Sequence, residues 1–506
     1  MRLVVVSNRL PIVIEQRDDA WTVRSGSGGL VTALAPLLNR VGGTWIGWPG
    51  AGGGSETEQT RLLDRHSRDV GYELKPVAMS QAQVEGFYQG YCNEIIWPLF
   101  HDLPSRCNFV PDYWQNYLAV EQTFADVVSR HVRPDDFIWV QDYHLLGLGR
   151  RLRDRGLTNR IGFFLHVPFP PPEIFRRLPW RGEILEGLLY NDIVGFQTPR
   201  DLENFFDCIR RLLPDVRRRK QHGLLRCIQE GRSTAFGDFP IGIDYVRFST
   251  DAAGEEIARR VRKLRHDIPN QQIVLGLDRL DYTKGVPERL RAFHLALQRY
   301  PELHRKMCLM QIVVPSRQTV PEYQDLKARI ERLVAQINGE FTQPGWIPIH
   351  YVYRSLDWAE LLTHYRAADV ALVTPLKDGM NLVAKEYCAC QTDGNGVLVL
   401  SEFAGAAVQF ADAAILVNPH DLDSVAAAIR AGVLRSPADR RRAMRRLRNI
   451  VRKSDVYWWL DQYFGACGLS ARGKNPVSLP LSAVPPIPLP PLPLKRSEPE
   501  APGVHA

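Results

Sequence analysis

The sequence predicts two doubly wound α/β domains that face each other across a cleft. Two observations carry this. Apolar runs of strand length alternate with helix-like stretches from one end to the other, and continuous apolar runs mark parallel strands covered on both faces. The alternation is also interrupted once, at FGDFPIGIDYVRF between Phe236 and Phe248, which places a boundary near residue 243. A chain of 506 residues, 45% hydrophobic and 24% charged, is long enough for two or three domains.

In order, the first half reads LVVVSN followed by LVTALAPLLNRV, FIWVQD followed by LLGLGRRLRDRG, then IGFFLH and DIVGFQ, which together predict a domain over 1–243. QIVLGLDRL, MCLMQIVVP, IHYVYR, VALVTP and GVLVLS predict a second over 244–454. From Asp455 to Phe464 an aromatic-rich stretch predicts a last helix within 455–470 that packs back on the domains. Residues 471–506 hold ten of the 36 prolines, which excludes a helix or central strand and leaves polyproline II or disorder, as a PxxP docking segment or a dispensable tail. In open parallel sheets ligands bind beyond the carboxyl ends of the strands, so a functional site is expected in the cleft.

Composition excludes several classes. No run approaches the roughly 18 to 20 apolar residues that span a bilayer, and Ser7, Asn8 and Arg9 break the first apolar run too early for a secretory signal, so a cytoplasmic location without membrane contact is expected. The eight cysteines form no CxxC pair and no zinc-like spacing, which predicts free buried thiols and no metal. Net charge is +8, largely from arginine-rich clusters at 217–220 and 440–448. Both read as exposed helix, and neither carries the interleaved aromatics that nucleic-acid binding would use.

Three segments carry chemistry. SGSGGL, Ser25 to Leu30, sets Gly28 and Gly29 before a helix, where free amides suit a diphosphate, although such a turn is often only a turn. LGLDRLDYTKG places Arg279 and Lys284 after a strand; they are suited to a diphosphate, or Arg279 pairs with Asp281 while Lys284 is solvated. VTPLKDGMNLVAKEY turns at Lys377, Asp378 and Gly379 into a helix from about Met380. Its amides face a phosphate or sugar and Glu386 accepts ribose hydroxyls, or Asp378 caps the helix and Glu386 pairs with Lys385 or another neighbour.

Taken in this order, with TWIGWPG, EIIWPLFH, VQDYHLLGLG, IGFFLHVPFPPPEIF, DIVGFQT, FPIGID and GVLVLSEFAGAA, these stretches resemble the trehalose-6-phosphate synthase family of retaining glycosyltransferases from Val4 to about residue 467. The resemblance implies a GT-B architecture, two Rossmann-like domains across a cleft. It implies that Arg279 and Lys284 bind the diphosphate of a nucleotide sugar and that Gly28 and Gly29 close on it. Met380, Asn381, Leu382, Val383, Ala384, Lys385 and Glu386 would hold the rest of the donor, Asp378 a hydroxyl of its glucose, and Leu356 the base. Arg9, Tyr88 and Arg317 match positions that grip the phosphate of glucose 6-phosphate, a set suited to a monophosphate, and Trp97 lines the sugar pocket.

Asp142 and His166 match the reacting centre, although on residues alone His166 also reads as a satisfied core histidine. The family further implies UDP-glucose as the expected donor, retention of configuration, no cofactor or metal, homo-oligomerisation as an analogy, and a separate phosphatase for the product. Two alternatives stand beside it: a glucosylglycerol-phosphate synthase using glycerol 3-phosphate, and a catalytically silent sugar-phosphate sensor. Tyr88, Trp97 and Asp142 favour a sugar phosphate, and the intact donor set argues against a sensor.

Overall fold

The computed structural model describes residues 2–469 apart from 18–19, 27–28, 51–55, 222–223 and 318–319, so the proline-rich stretch lies outside the described residues. Its first sheet has nine strands. From one edge they run Glu73–Pro76, Thr44–Trp48, Leu3–Arg9, Phe137–Gln141, Arg160–Phe164, Ile193–Phe196 and Arg232–Asp238, all parallel, followed by the antiparallel Leu224–Gln229 and Arg217–Gln221. Val4, Val5 and Val6 are wholly buried, as a strand covered on both faces requires. A second sheet of six parallel strands runs Ile349–Tyr353, Met307–Val314, Gln272–Arg279, Val370–Val373, Val397–Ser401 and Ile415–Val417.

The second sheet, and the first six strands of the first, follow the doubly wound order 3-2-1-4-5-6. The winding therefore reverses beside Leu3–Arg9 in one lobe and beside Gln272–Arg279 in the other. A crevice opens at the carboxyl end of each pair of strands where this happens. Arg9 and Asp142 stand at the first of these points, and Arg279, Lys284 and Asp378 at the second.

The chain passes between the sheets twice, side by side. Asp238 ends the first sheet's last parallel strand and Tyr245 begins a helix of the second lobe, so the expected junction near 243 falls in this passage. The return comes at Ser454 and Asp455, where the Val456 amide donates to the Ile243 carbonyl at 3.0 Å. Gly242 leaves no room for a side chain, since a Cβ there would lie 2.3 Å from the Asp455 backbone.

Beyond this passage the helix Val456–Ala466 lies on the first sheet. Tyr463 stacks on Trp139 with ring centres 4.9 Å apart and donates its hydroxyl to the Phe163 carbonyl at 3.1 Å, while Trp459 meets Phe164 edge-on at 5.1 Å. Gly162 and Gly195 make the space, because a Cβ at either would strike Tyr463.

Two expectations need correction. Arg217, Arg218, Arg219 and Lys220 are exposed, but on an edge strand rather than a helix. Like charges on an edge discourage pairing with another chain, a reason for such residues that helical charge spacing does not distinguish. The second cluster does form a helix, Pro437–Lys453, yet Arg440 is buried, donating to the carbonyls of Gly432 and Val433 at the end of the helix Leu422–Leu434. The eight cysteines are all free, and six of them are buried.

Trp459 fills space between the last helix and the first sheet, so Trp459→Ala is expected to cost about 3 to 5 kcal/mol through the lost contacts and the cavity left behind. Urea unfolding followed by near-ultraviolet circular dichroism checks this.

Candidate active site

The second lobe's side of the cleft rests on a buried arginine. Arg289, in the helix Val286–Arg299, pairs with Asp278 at 2.6 Å with neither side chain exposed beyond 3%. Its Nε also donates to Thr374 Oγ1 at 3.0 Å, and Nη2 reaches the Lys284 carbonyl at 3.5 Å. One guanidinium thus ties together the strand ending at Arg279, the turn Tyr282–Lys284 and the loop after Val373. Gly285 completes the turn at φ 64°, a left-handed conformation, and a Cβ there would meet the Thr374 carbonyl.

Lys284 is not solvated; its Nζ pairs with Asp378 Oδ2 at 2.6 Å. Burial alone would raise the Asp378 pKa, but Lys284 and a hydrogen bond from Asn381 hold it below the usual carboxylate value. Asp281 makes no ion pair with Arg279; it caps Thr283 at 2.9 Å and faces Arg317 at 3.5 Å. The helix after the DGMN turn is Leu382–Cys390, and its cap is Asn381 rather than Asp378, with Oδ1 accepting from the Ala384 amide at 3.2 Å and φ at 73°.

Glu386 pairs with neither Lys385 nor a neighbour in sequence. It accepts from the Tyr365 hydroxyl at 2.7 Å, and burial raises its pKa. The Lys385 side chain is withdrawn from the cleft: it is fully buried, donates to the Ile241 carbonyl at 2.7 Å, and has its pKa pulled down to about 7 by burial. Met380 is buried, with its carbonyl accepting from the Ala406 amide, while Leu382 and Val383 are half-buried in the helix's first turn. Leu356 sits half-buried in the loop between Tyr353 and Trp358.

On the first lobe's side, Arg9 ends the first strand and lays its guanidinium over the rings of Trp48 at 4.4 Å and Tyr88 at 5.1 Å. Tyr88 comes from a π-type helix, Val84–Ile96, and Trp97 begins the helix that continues it. Asp142 follows the strand Phe137–Gln141 at φ 73°, a conformation an aspartate adopts under constraint. The His166 amide donates to its Oδ1 at 3.1 Å, and burial raises its pKa to about 6 against the pull of backbone hydrogen bonds and Arg279. His166 Nε2 donates to Gln141 Oε1 at 2.9 Å, and burial pushes the ring down to about 3, so the imidazole is neutral and Nδ1 is left as an acceptor.

Below the Asp142 loop lies a carboxyl that the motifs do not point to. Glu121 is 1% exposed, accepts from Tyr117 and from the Gly147 amide at 2.7 Å each, and so caps the helix Leu148–Asp154. Burial raises its pKa to about 7.

The lobes meet over this ground. Arg317 comes from the second lobe at φ 48°, stacks over Trp97 at 4.8 Å, and touches Tyr323 and Asp281. Burial would raise the Tyr88 pKa, yet Arg317, Arg9 and Arg279 together bring it below its ordinary value. Three arginines from two lobes therefore bear on one phenol. Arg279 is exposed at the cleft and has no hydrogen bond or ion pair with a described residue. Lys377 pairs with Asp102 at 2.7 Å and Arg106 with Glu322, both between lobes. Gly379 packs against His166 so closely that a Cβ would lie 2.2 Å from its carbonyl oxygen.

Of the predicted residues, Arg9, Tyr88, Trp97 and Arg317 come together between the lobes with Arg279 bearing on the same phenol, while Lys284 and Asp378 pair beside them and Lys385 points away. Gly28 lies outside the described residues, and Gly29 opens the helix Gly29–Val41. Arg289, Asp278 and Glu121 were missed by the motifs. Arg289 carried a signal, since it stands on the apolar stripe of Val286, Leu290, Phe293 and Leu297, where a charge needs a buried partner.

Two Rossmann-like domains with a cationic cleft between their switch points make up a GT-B architecture. The family model for glycosyltransferase family 20 matches residues 1–467. A trehalose-6-phosphate synthase from Mycolicibacterium paratuberculosis is 42% identical over 92% of this chain and 94% of its own length. Among solved structures, a protein from E. coli bound with UDP-2-fluoro glucose matches at TM-score 0.82 and 36% identity, over 92% of this chain and 98% of that one. An α,α-trehalose-phosphate synthase (UDP-forming) from Burkholderia xenovorans in complex with glucose-6-phosphate matches at 0.82 and 32%, over 92% and 100%. The chain belongs to glycosyltransferase family 20. Among the described residues no helix is long and apolar enough to cross a membrane.

Glu121 supplies a pH-dependent term. Its folded pKa of about 7 lies above the ordinary 4.5, so its contribution to stability is present at low pH and is lost as pH rises through about 7. Glu121→Gln, which mimics the protonated form, is expected to flatten the fall in melting temperature between those values. Thermal melts of both proteins across that range check it.

Proposed function

We propose that the protein is an α,α-trehalose-6-phosphate synthase that transfers glucose from UDP-glucose to glucose 6-phosphate with retention of configuration. The observation that carries this reading is the convergence of Arg9, Tyr88 and Arg317 beside Trp97 and Asp142, across from Arg279, Lys284 and Asp378. The ligands of the relatives from E. coli and B. xenovorans support the same pair of substrates.

On this reading Arg9, Tyr88 and Arg317 take the 6-phosphate, with the guanidinium forks offering paired donors to its oxygens. Trp97, whose indole N–H is buried without a partner among the described residues, lines the sugar pocket. Arg279 and Lys284 meet the donor diphosphate; Asp378, relinquishing part of its bond to Lys284, accepts a glucose hydroxyl. Glu386 takes the ribose, the amides of the Met380–Ala384 turn the sugar and phosphate, and Leu356 the base. Asp142 holds acceptor hydroxyls, and neutral His166 accepts from the donor sugar through Nδ1.

The acceptor hydroxyl then attacks from the face on which the diphosphate departs, and a donor phosphate oxygen receives its proton. Charge grows on the leaving group, and Arg279 and Lys284 stabilise it there without a metal ion or cofactor. Exclusion of water by the closed lobes suppresses hydrolysis. The product keeps its phosphate, which leaves dephosphorylation to another protein. A cytoplasmic location fits both phosphorylated substrates.

Arg279→Ala is expected to lower kcat by about 100- to 1,000-fold, the usual loss for one donor to a developing oxyanion, with an unchanged circular dichroism spectrum. Turnover is followed as UDP release, with mass and NMR analysis of an α,α-1,1-linked disaccharide phosphate. Wild-type turnover in that variant would sink the assignment, and turnover with glycerol 3-phosphate alone would replace the acceptor. Arg9→Ala is expected to raise KM for glucose 6-phosphate more than tenfold, since it removes a charged contact worth about 1.5 to 3 kcal/mol. EDTA is expected to leave initial rates unchanged.

A further inference from the structure

Away from the interlobe cleft, the helix Pro437–Lys453 forms one wall of a concavity of about 610 Å³. Arg441, Arg445, Arg448 and Arg452 recur there at steps of four, three and four, which brings them to one helix face, and Arg446 joins them at the rim. Tyr245 and the turn at Thr392 to Gly394 form the opposite wall. Five guanidinium groups therefore line a space that contains one carboxylate, Asp393, one of whose oxygens already accepts from the Asn395 amide at 3.0 Å.

The other arginines of this helix show what folding alone does with such residues. Arg440 is buried on backbone carbonyls and Arg442 pairs with Asp439 at 3.1 Å. Arg441, Arg445 and Arg446 are exposed and have no hydrogen bond or ion pair with a described residue. Like charges four apart on a helix repel, so this face is less stable empty than with its charge neutralised. Arg448 is anchored by the carbonyls of Cys388 and Ala389 and by Ser249, and lies 5.5 Å from the Tyr245 ring. It supplies a fixed guanidinium at the base of a rim of movable ones.

We infer that this concavity is a second anion site, built for a small molecule that carries two or more phosphate groups. Planar forks give paired hydrogen bonds to phosphate oxygens, and five of them exceed what a single phosphate can use. The volume is that of a metabolite pocket, and Tyr245, the one aromatic among the described lining residues, is half-buried with Arg448 already beside its ring, which disfavours a stacked nucleic-acid strand.

The test is calorimetric titration of inorganic triphosphate, pyrophosphate and orthophosphate into the full chain at fixed ionic strength. Wild-type protein, Arg441→Glu/Arg445→Glu and Arg279→Ala are compared, the last reporting on the interlobe cleft. Triphosphate is expected to lose at least about tenfold in affinity in the double variant and to keep this site in Arg279→Ala, with orthophosphate bound at least about tenfold more weakly than triphosphate. Arg445→Ala serves if the double variant folds poorly, as judged by circular dichroism. Equal triphosphate affinity in wild type and the variants of Arg441 and Arg445 overturns the proposal. So does a loss that follows Arg279→Ala alone, an absence of binding below millimolar triphosphate, or orthophosphate binding as tightly as triphosphate.

Discussion

The Arg289–Asp278 pair is the constraint on which the donor side of this molecule depends. A charge pair taken wholly out of water is tolerated only where geometry is good and the remaining protons find acceptors. Thr374, Gln311 and the Lys284 carbonyl provide those acceptors. Because these partners come from a neighbouring strand, a turn and a loop, the pair cannot be satisfied unless all three take up their places together. Gly276 belongs to the same arrangement, since a Cβ there would lie 2.5 Å from Gln311 Oε1 and 2.9 Å from the arginine. Lys284 and the stretch leading to Asp378 are therefore placed by what lies beneath them, before any ligand arrives.

The cleft above shows how environment divides labour among groups of ordinary reactivity. Asp281 is buried and Asp378 half-buried, yet both keep carboxyl pKa values below the usual range because cations surround them. Asp142, held mainly by backbone amides, is pushed the other way. His166 and His144 are forced neutral, the first by burial alone and the second by burial with Arg317 and Arg9. The result is a field that stays strongly positive toward phosphate, with neutral nitrogen and a carboxylate of raised pKa beside the position a sugar would take. Such a division suits a reaction in which charge moves between phosphates and no covalent bond to protein is needed.

Much of this was legible in the sequence, and the exceptions have physical causes. Parallel strands buried on both faces leave long apolar runs, so the two α/β domains could be read, and residues bearing chemistry fell at strand ends as the topology demands. What could not be read was which side chain satisfies which. Asp378 and Asn381 are both competent caps, and only the left-handed backbone at Asn381 decides between them. Lys385 and Glu386 are adjacent in sequence but project to different sides of a helix, one into the protein and one toward Tyr365. The 217–220 cluster has no periodicity that separates an edge strand from a helix. Glu121 stands on a buried helix face with Tyr117, Phe124 and Val128, but its second partner, the Gly147 amide, is brought to it only by the fold.

The double passage between the lobes has a mechanical consequence. A single linker allows twist, tilt and translation alike. Two strands of chain lying side by side, hydrogen-bonded at Ile243 and Val456 and packed without a gap at Gly242, behave as a hinge with two pins, for which rotation about one axis is the soft motion. Lys385 fastens this hinge from the second lobe through the Ile241 carbonyl, three residues from the helix start that faces the cleft. Rotation about that axis would carry Arg317 and Arg279 away from Tyr88 together, as one rigid set.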